Sequence, residues 1–340
     1  MNILLAALFL LTQATSLIWE RDFGTLTAAP LLVDEVLYIS TIPTRGSTVL
    51  YALDADTGAD LWQANLPAPV ITAPAYDDNN LYMGTDNGGV YALNRTDGAV
   101  QWHVDLPGLM WFTPLRVADQ LFLAGAGTFY SLDVDNGTIL WEFDLAGQEV
   151  YYAPAYTNGM LYFAADQTLY ALDTSGEESW RLAADTYWTT PVVQDGVLYI
   201  GSEDGAFTAM DTQTQEIIWQ FTDGGRGWSR PVIGEDAVFV GNIDNTVFAF
   251  NRSDGTLHWQ FETADWATSP LVLVEDVLYF GVGNHEGRSG SRPFYALDAL
   301  TGELRWQFEA DGLIHIAPAY GAGRIYFNTT TGNVYAIEEQ

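Results

Sequence analysis

Tryptophan recurs at positions 19, 62, 102, 141, 180, 219, 259 and 306, mostly 39 or 40 residues apart. Prolines keep the same beat at 30, 74, 114, 154, 191, 231, 270 and 318. A period of this length running through the whole chain constrains the fold before any local propensity does. Each repeat must be one supersecondary unit that buries its apolar surface against the next. Between proline and tryptophan, each unit adds two apolar runs bounded by turn signals, as in "GVLYIGS" (196–202) and "AFTAMD" (206–211). That predicts four short strands per unit: one after the proline, one at "LYIG", one at "YALD" and one around the tryptophan. Four-strand units near 40 residues fit propeller blades rather than helical arrays. Their near-continuous apolar runs suit strands covered on both faces. A linear β-solenoid would need polar caps at both ends, whereas here the ends complement each other. The chain stops at "VYAIEEQ", after a third strand, and its N-terminal part offers an orphan fourth strand, "LIWERDF" (17–23). The expectation is an all-β, eight-bladed β-propeller with four antiparallel strands per blade. The N-terminal strand closes the ring by completing the last blade (3+1), and residues 17–340 form a single domain.

The most insistent phrase is "ALDADTGADLW" (52–62), which returns as "ALNRTDGAVQW" (92–102), "SLDVDNGTILW" (131–141), "AFNRSDGTLHW" (249–259) and "ALDALTGELRW" (296–306). Its acidic position holds Asp54, Asp133, Asp173, Asp211 and Asp298 but also Asn94 and Asn251. A catalytic base does not survive exchange for an amide, whereas an acceptor of backbone N–H groups in a turn does. The glycine supplies a positive φ, and the tryptophan buries a large ring with its N–H free to find a carbonyl. Gln215 replaces the glycine in one copy, and "ALDTSGEESW" (171–180) is one residue short, so the turn is adaptable. The phrase is architectural.

The pattern A-x-D-x-x-x-G-x-x-x-W with "LYxG" upstream resembles the tryptophan-docking repeat of the pyrroloquinoline quinone (PQQ) family of propellers, over essentially the whole chain. The resemblance implies one of two branches. One comprises quinoprotein alcohol and sugar dehydrogenases, which stack PQQ on a tryptophan, hold calcium through Glu and Asn oxygens and use an Asp as base. The other comprises cofactor-free scaffolds such as the outer-membrane assembly lipoprotein. The repeat marks the fold and not the cofactor.

Composition narrows the partners. Forty-four acidic residues face 12 arginines and no lysine, a net charge of −32. Such a surface repels nucleic-acid phosphates and anionic lipids and favours solubility. There is no cysteine, hence no disulfide, thiolate metal site or lipid-anchor thiol. Residues 1–16, "MNILLAALFLLTQATS", read as a secretory signal: a short apolar run followed by small residues, without Lys or Arg in its first positions. The run falls short of the ~20 residues of a membrane span. The expected location is secreted, periplasmic or cell-surface, as a monomer.

Propeller geometry says where to look for a site. The segment before each proline and the hairpin between second and third strands share one face, here called the top. Acidic turns such as Asp34-Glu35, Asp77-Asp78, Asp195, Glu235-Asp236 and Glu275-Asp276 fall on the other and read as a solvated rim. Three residues before the proline, successive blades present Trp111, Tyr151, Trp188 and Trp228, and the last presents His315. Phe112, Tyr152, Tyr187 and Trp266 lie beside them, while the first two blades carry Thr27 and Ile71. Two readings of this arc stand: rings that plug the wide axis, or a surface for a planar or sugar-like ligand or a peptide. Arg226 and Arg230 flank Trp228 and suit a carboxylate, and Arg116 is a further channel candidate. The enlarged hairpins "STIPTRGSTV" (40–49) and "GVGNHEGRSGSRPF" (281–294) reach the same face, the latter carrying His285 and Glu286, a weak metal pair. No G-x-S-x-G, Walker or H-E-x-x-H motif occurs. Sequons at Asn94, Asn136, Asn251 and Asn328 mostly coincide with turns that favour Asn anyway.

The expected function is therefore a non-enzymatic scaffold without cofactor. It binds a protein, peptide or glycan through Trp111, Tyr151, Trp188, Trp228, Arg230, Trp266 and His315. The alternative is a PQQ- and calcium-dependent dehydrogenase, as the resemblance allows. In that case Trp188 or Trp228 is the stacking floor, Arg230 a cofactor partner, and Glu149, Asp185 or Asp265 must serve as ligand or base.

Overall fold

The structure, a computed structural model, describes residues 15–25, 28–42, 46–283 and 292–339. Its strands form eight separate four-stranded sheets, seven of them built from consecutive strands. The eighth combines Ala319–Gly321, Arg324–Asn328 and Asn333–Glu339 with the N-terminal Thr15–Asp22. Thr15–Asp22 pairs antiparallel with the last strand, from Thr15 opposite Glu339 to Asp22 opposite Asn333. The fold is thus the eight-bladed propeller with 3+1 closure that the repeat predicts. The described residues contain no helix, so none is long and apolar enough to cross a membrane.

Burial follows strand position. Second and third strands are covered on both faces: Leu198, Tyr199 and Ile200 in one, Phe207 and Ala209 in its neighbour, are all essentially inaccessible. Fourth strands such as Leu257–Glu262 alternate between exposed and half-buried, as outer-edge strands do. The core is therefore a set of interleaved layers between blades, with Phe129 stacked on Phe163 at 4.1 Å and Phe294 on Phe327 at 4.4 Å.

Each joint between blades is built by the repeated phrase. Trp62 donates its indole N–H to Arg95 O (2.9 Å), Trp102 to Val134 O (2.8 Å) and Trp219 to Arg252 O (2.9 Å), each carbonyl belonging to the next blade. Trp19 of the closing strand does the same to Ala55 O at 2.9 Å, locking last blade to first. The ring lies flat over the turn glycine: a Cβ on Gly137 would meet Trp102 at 2.6 Å. Asp54 Oδ1 accepts the Thr57 N–H at 2.8 Å, and Asn94 Oδ1 accepts that of Thr96 at 2.8 Å, so acid and amide do the same work. Gln215 takes up φ +58° and Trp180 still reaches Thr212 O at 2.9 Å.

On the bottom face, part of the acid is used in joints rather than merely solvated. Arg95 reaches back across a blade boundary to Asp34 (2.8 Å), and Arg252 repeats the contact with Asp195 (2.8 Å). Their carboxylates stay largely exposed, so each pair contributes at most about 1 kcal/mol.

Candidate functional site

A cleft of about 450 Å³ opens on the top face between the fourth and fifth blades. Tyr151 and Tyr152 come from the lead-in to blade four, Tyr187 and Trp188 from the lead-in to blade five. Ala164, Asp166 and Glu203 come from the hairpins between second and third strands of the same blades. Lead-ins and hairpins are tied together: Asp166 N–H donates to Glu149 O at 2.9 Å, and Glu203 N–H to Tyr187 O at 2.9 Å. Backbone bonds thus fix the spacing between aromatic wall and acidic rim. Trp111 continues the wall into blade three, its ring 6.0 Å from that of Tyr151. Trp111, Tyr151, Tyr152 and Tyr187 keep 39–45% of their surface exposed.

The electrostatics of the cleft are negative. Burial, with Asp166, Glu149 and Tyr187 around it, pushes the Tyr151 phenol up from its ordinary value. Burial and the charge of Glu203 do the same to Tyr152. Both phenols therefore stay neutral. Tyr152 is open to water on one side and crowded by protein on the other. Arg230 shows the same combination: exposed to solvent, but desolvated enough to pull its guanidinium below the ordinary value.

The arc is shorter than its sequence pattern implies. Trp228 is 5% exposed and packs between Phe207 (5.5 Å) and Phe248 (5.7 Å), so it belongs to the inter-blade core and offers no ligand surface. The reason is local. Gly201, the glycine of "LYIG" in blade five, leaves a seat that Trp228 occupies, and a Cβ there would meet Trp228 at 2.5 Å. The equivalent residue of blade four is Ala164, which lines the cleft together with the half-buried Trp188. Phe112 is likewise core, at 5% exposure. Trp266 is half-buried beside Asp265, its carbonyl accepting the Gly283 N–H at 3.1 Å. His315 is half-buried against the same strand end, where a Cβ on Gly283 would lie 3.3 Å from its Nδ1. Trp266 and His315 do not line the cleft. Arg116 lies 4.0 Å from Asp77, and Arg226 is exposed. Thr27, His285 and Glu286 fall outside the described residues, as do parts of both enlarged hairpins. Asp166 and Glu203 lie outside the arc of residues that precedes the prolines. Their place in second-to-third-strand hairpins, "ADQT" and "SEDG", was the available signal.

A quinone with its calcium ion needs an open aromatic floor and converging oxygen ligands, and Trp228, Asp265 and Asp185 do not provide them. Trp228 is buried, and Asp265 is 2.7 Å from Arg292 Nε in a largely buried pair. Asp185 stands exposed on the surface. Among the described residues no three Asp, Glu or His side chains converge on a metal position.

Fold and repeat define the class: a PQQ-like-repeat β-propeller of eight blades. The chain belongs to the family described as outer membrane protein assembly factor BamB, whose model matches at residues 9–108, 86–187, 165–289 and 268–340. Among curated relatives, the outer membrane protein assembly factor BamB of Yersinia pestis is 28% identical over 203 residues, covering 50% of this chain and 51% of its own. A polyvinylalcohol dehydrogenase from Sphingopyxis sp. is 27% identical over 258 residues, covering 64% of this chain and 38% of its own. The chain thus spans about half the length, or less, of these curated relatives. In structure, BamB from Moraxella catarrhalis superposes with a TM-score of 0.77 at 19% identity, covering 95% of this chain and 99% of that one. At that identity the likeness shows the fold.

Proposed function

We propose that this propeller is a non-enzymatic scaffold of the cell envelope that docks a protein partner in outer membrane protein assembly. The docking surface is the aromatic arc of blades three to five. The observation that carries the reading is the contiguous exposure of Trp111, Tyr151, Tyr152 and Tyr187 on one face, beside a cleft of about 450 Å³. Tyr and Trp supply large rigid contact area at small entropic cost and are enriched where binding energy concentrates. Family membership supports the assembly role, and the reading of residues 1–16 as an export signal supports a secreted or periplasmic location. The protein acts as a monomer in this reading.

The test is site-specific photocrosslinking in the envelope of the native host. A crosslinker at Tyr187 should capture one defined protein, identified by mass spectrometry. The same group at Gln213, on the bottom face, should not. Equal capture from both positions, or adducts to sugar polymers alone, would overturn the reading.

A further inference from the structure

The cleft between blades four and five has a feature that protein docking alone does not require: an aromatic wall closed by unpaired carboxylates. In the other described concavities the acids are largely matched. In the groove between the last and first blades, of about 280 Å³, Asp34 pairs with Arg95 and Asp56 with Arg324, while Glu35 lacks an ion pair among the described residues. The bottom-face cleft of blades four and five, about 400 Å³, is lined by Thr157, Met160, Trp180 and Thr212 among others, without a charged residue. In the top cleft, Asp166 and Glu203 have no ion pair among the described residues, and no arginine lines the space. Asp166 accepts only a long bond from the Glu149 N–H at 3.4 Å.

We infer that this cleft receives a cationic side chain, a guanidinium or ammonium group, presented by the partner protein. The inference rests on the docking reading above and names the chemistry of its central contact. A cation seated over Tyr and Trp faces is drawn to the ring quadrupole, more strongly as water is displaced. The two carboxylates at the rim complete its charge and hydrogen bonds. Burial, and after it the neighbouring carboxylates, raise the phenol values of Tyr151 and Tyr152. The volume falls in the ~300–1,000 Å³ range of sites that enclose most of a small ligand, leaving room for the backbone on either side of one long side chain. The net charge of −32 steers such a group toward the molecule from a distance.

The test uses small probes on the full chain. Nα-acetyl-arginine methylamide, its lysine counterpart and the neutral isostere Nα-acetyl-citrulline methylamide are titrated by NMR at low and high salt. Arginine or lysine should bind at least about tenfold more tightly than citrulline, with the difference shrinking as salt screens it. Asp166→Asn with Glu203→Gln should cut that preference by at least about threefold while the rings retain the remainder, with unfolding temperature unchanged. Citrulline binding as well as arginine, or a cation preference that the double substitution leaves unchanged, overturns the inference. Crosslinking at Tyr187 reports separately. Partner capture without cation preference leaves docking standing and removes only its proposed chemistry, whereas cation preference without capture does the reverse.

Discussion

Gly137→Ala tests what holds the ring of blades together. Gly137 sits at φ +73° under the indole of Trp102, which belongs to the preceding blade. Two costs follow from adding one methyl. Holding an L-residue in the left-handed region costs about 1–2 kcal/mol. The new Cβ would also lie 2.6 Å from Trp102 Cε3, against a comfortable carbon–carbon separation of about 3.5–4.0 Å. The ring must therefore withdraw by roughly 1 Å. That loosens its packing and its 2.8 Å bond to Val134 O, worth about 1 kcal/mol for the bond and a similar amount for the contacts. The sum is about 3–4 kcal/mol. At about 1.4 °C per kcal/mol for a chain of this size, the unfolding midpoint should drop by about 4–6 °C. Scanning calorimetry of a double-mutant cycle separates the two costs. In a Trp102→Ala background the clash is gone and Gly137→Ala should cost only the conformational part, giving a coupling of about 2 kcal/mol. Equal costs in both backgrounds would refute the claim that the glycine exists to admit the ring. Gln215, a natural non-glycine at φ +58°, shows that one turn accommodates a side chain there while Trp180 keeps its 2.9 Å bond to Thr212 O.

Trp228→Ala should cost about 3–5 kcal/mol in chemical denaturation, as a buried aromatic does, while Tyr187→Ala should stay within about 0.5 kcal/mol yet abolish partner crosslinking. Ala164→Gly should let Trp188 settle into the freed space and shrink the cleft. A site-assigned fluorotryptophan resonance would then shift to a buried position and arginine-probe affinity would fall, and an unmoved resonance would contradict the steric account. The Thr57 hydroxyl and backbone N–H hold Asp54 below the ordinary carboxylate value, and Ser175 does the same for Asp173. A depressed carboxylate binds fewer protons in the native state than unfolded. Its stabilisation is therefore complete above the unfolded value near ~3.9 and lost as pH falls through the native one. Melting temperature measured from pH 5 to pH 2 should decline less steeply in Asp54→Asn/Asp173→Asn than in wild type, and parallel curves would refute the assignment.

Much of the fold was legible in the sequence because the repeat tests itself. Trp19 near the start and a last unit lacking its tryptophan imply closure, and the exchange of Asp54 for Asn94 at one turn position reveals an acceptor rather than a base. These are local or nearest-neighbour relations, and periodicity exposes them directly. The site was only half legible. Trp188 and Trp228 stand at the same distance before their prolines, yet one lines a cleft and the other is core. The seat that buries Trp228 is left by Gly201 of the preceding blade, where the corresponding residue before Trp188 is Ala164. Nor could spacing show that Asp166 and Glu203 meet the aromatic wall without a counter-ion, while Asp34 and Asp195 are met by arginines across blade boundaries. Hydrophobic period and turn chemistry determined how many blades there are and how they join. Which rings stay open and which charges stay unmatched depends on side-chain volume and ion pairing between neighbouring blades, and only the assembled ring decided it.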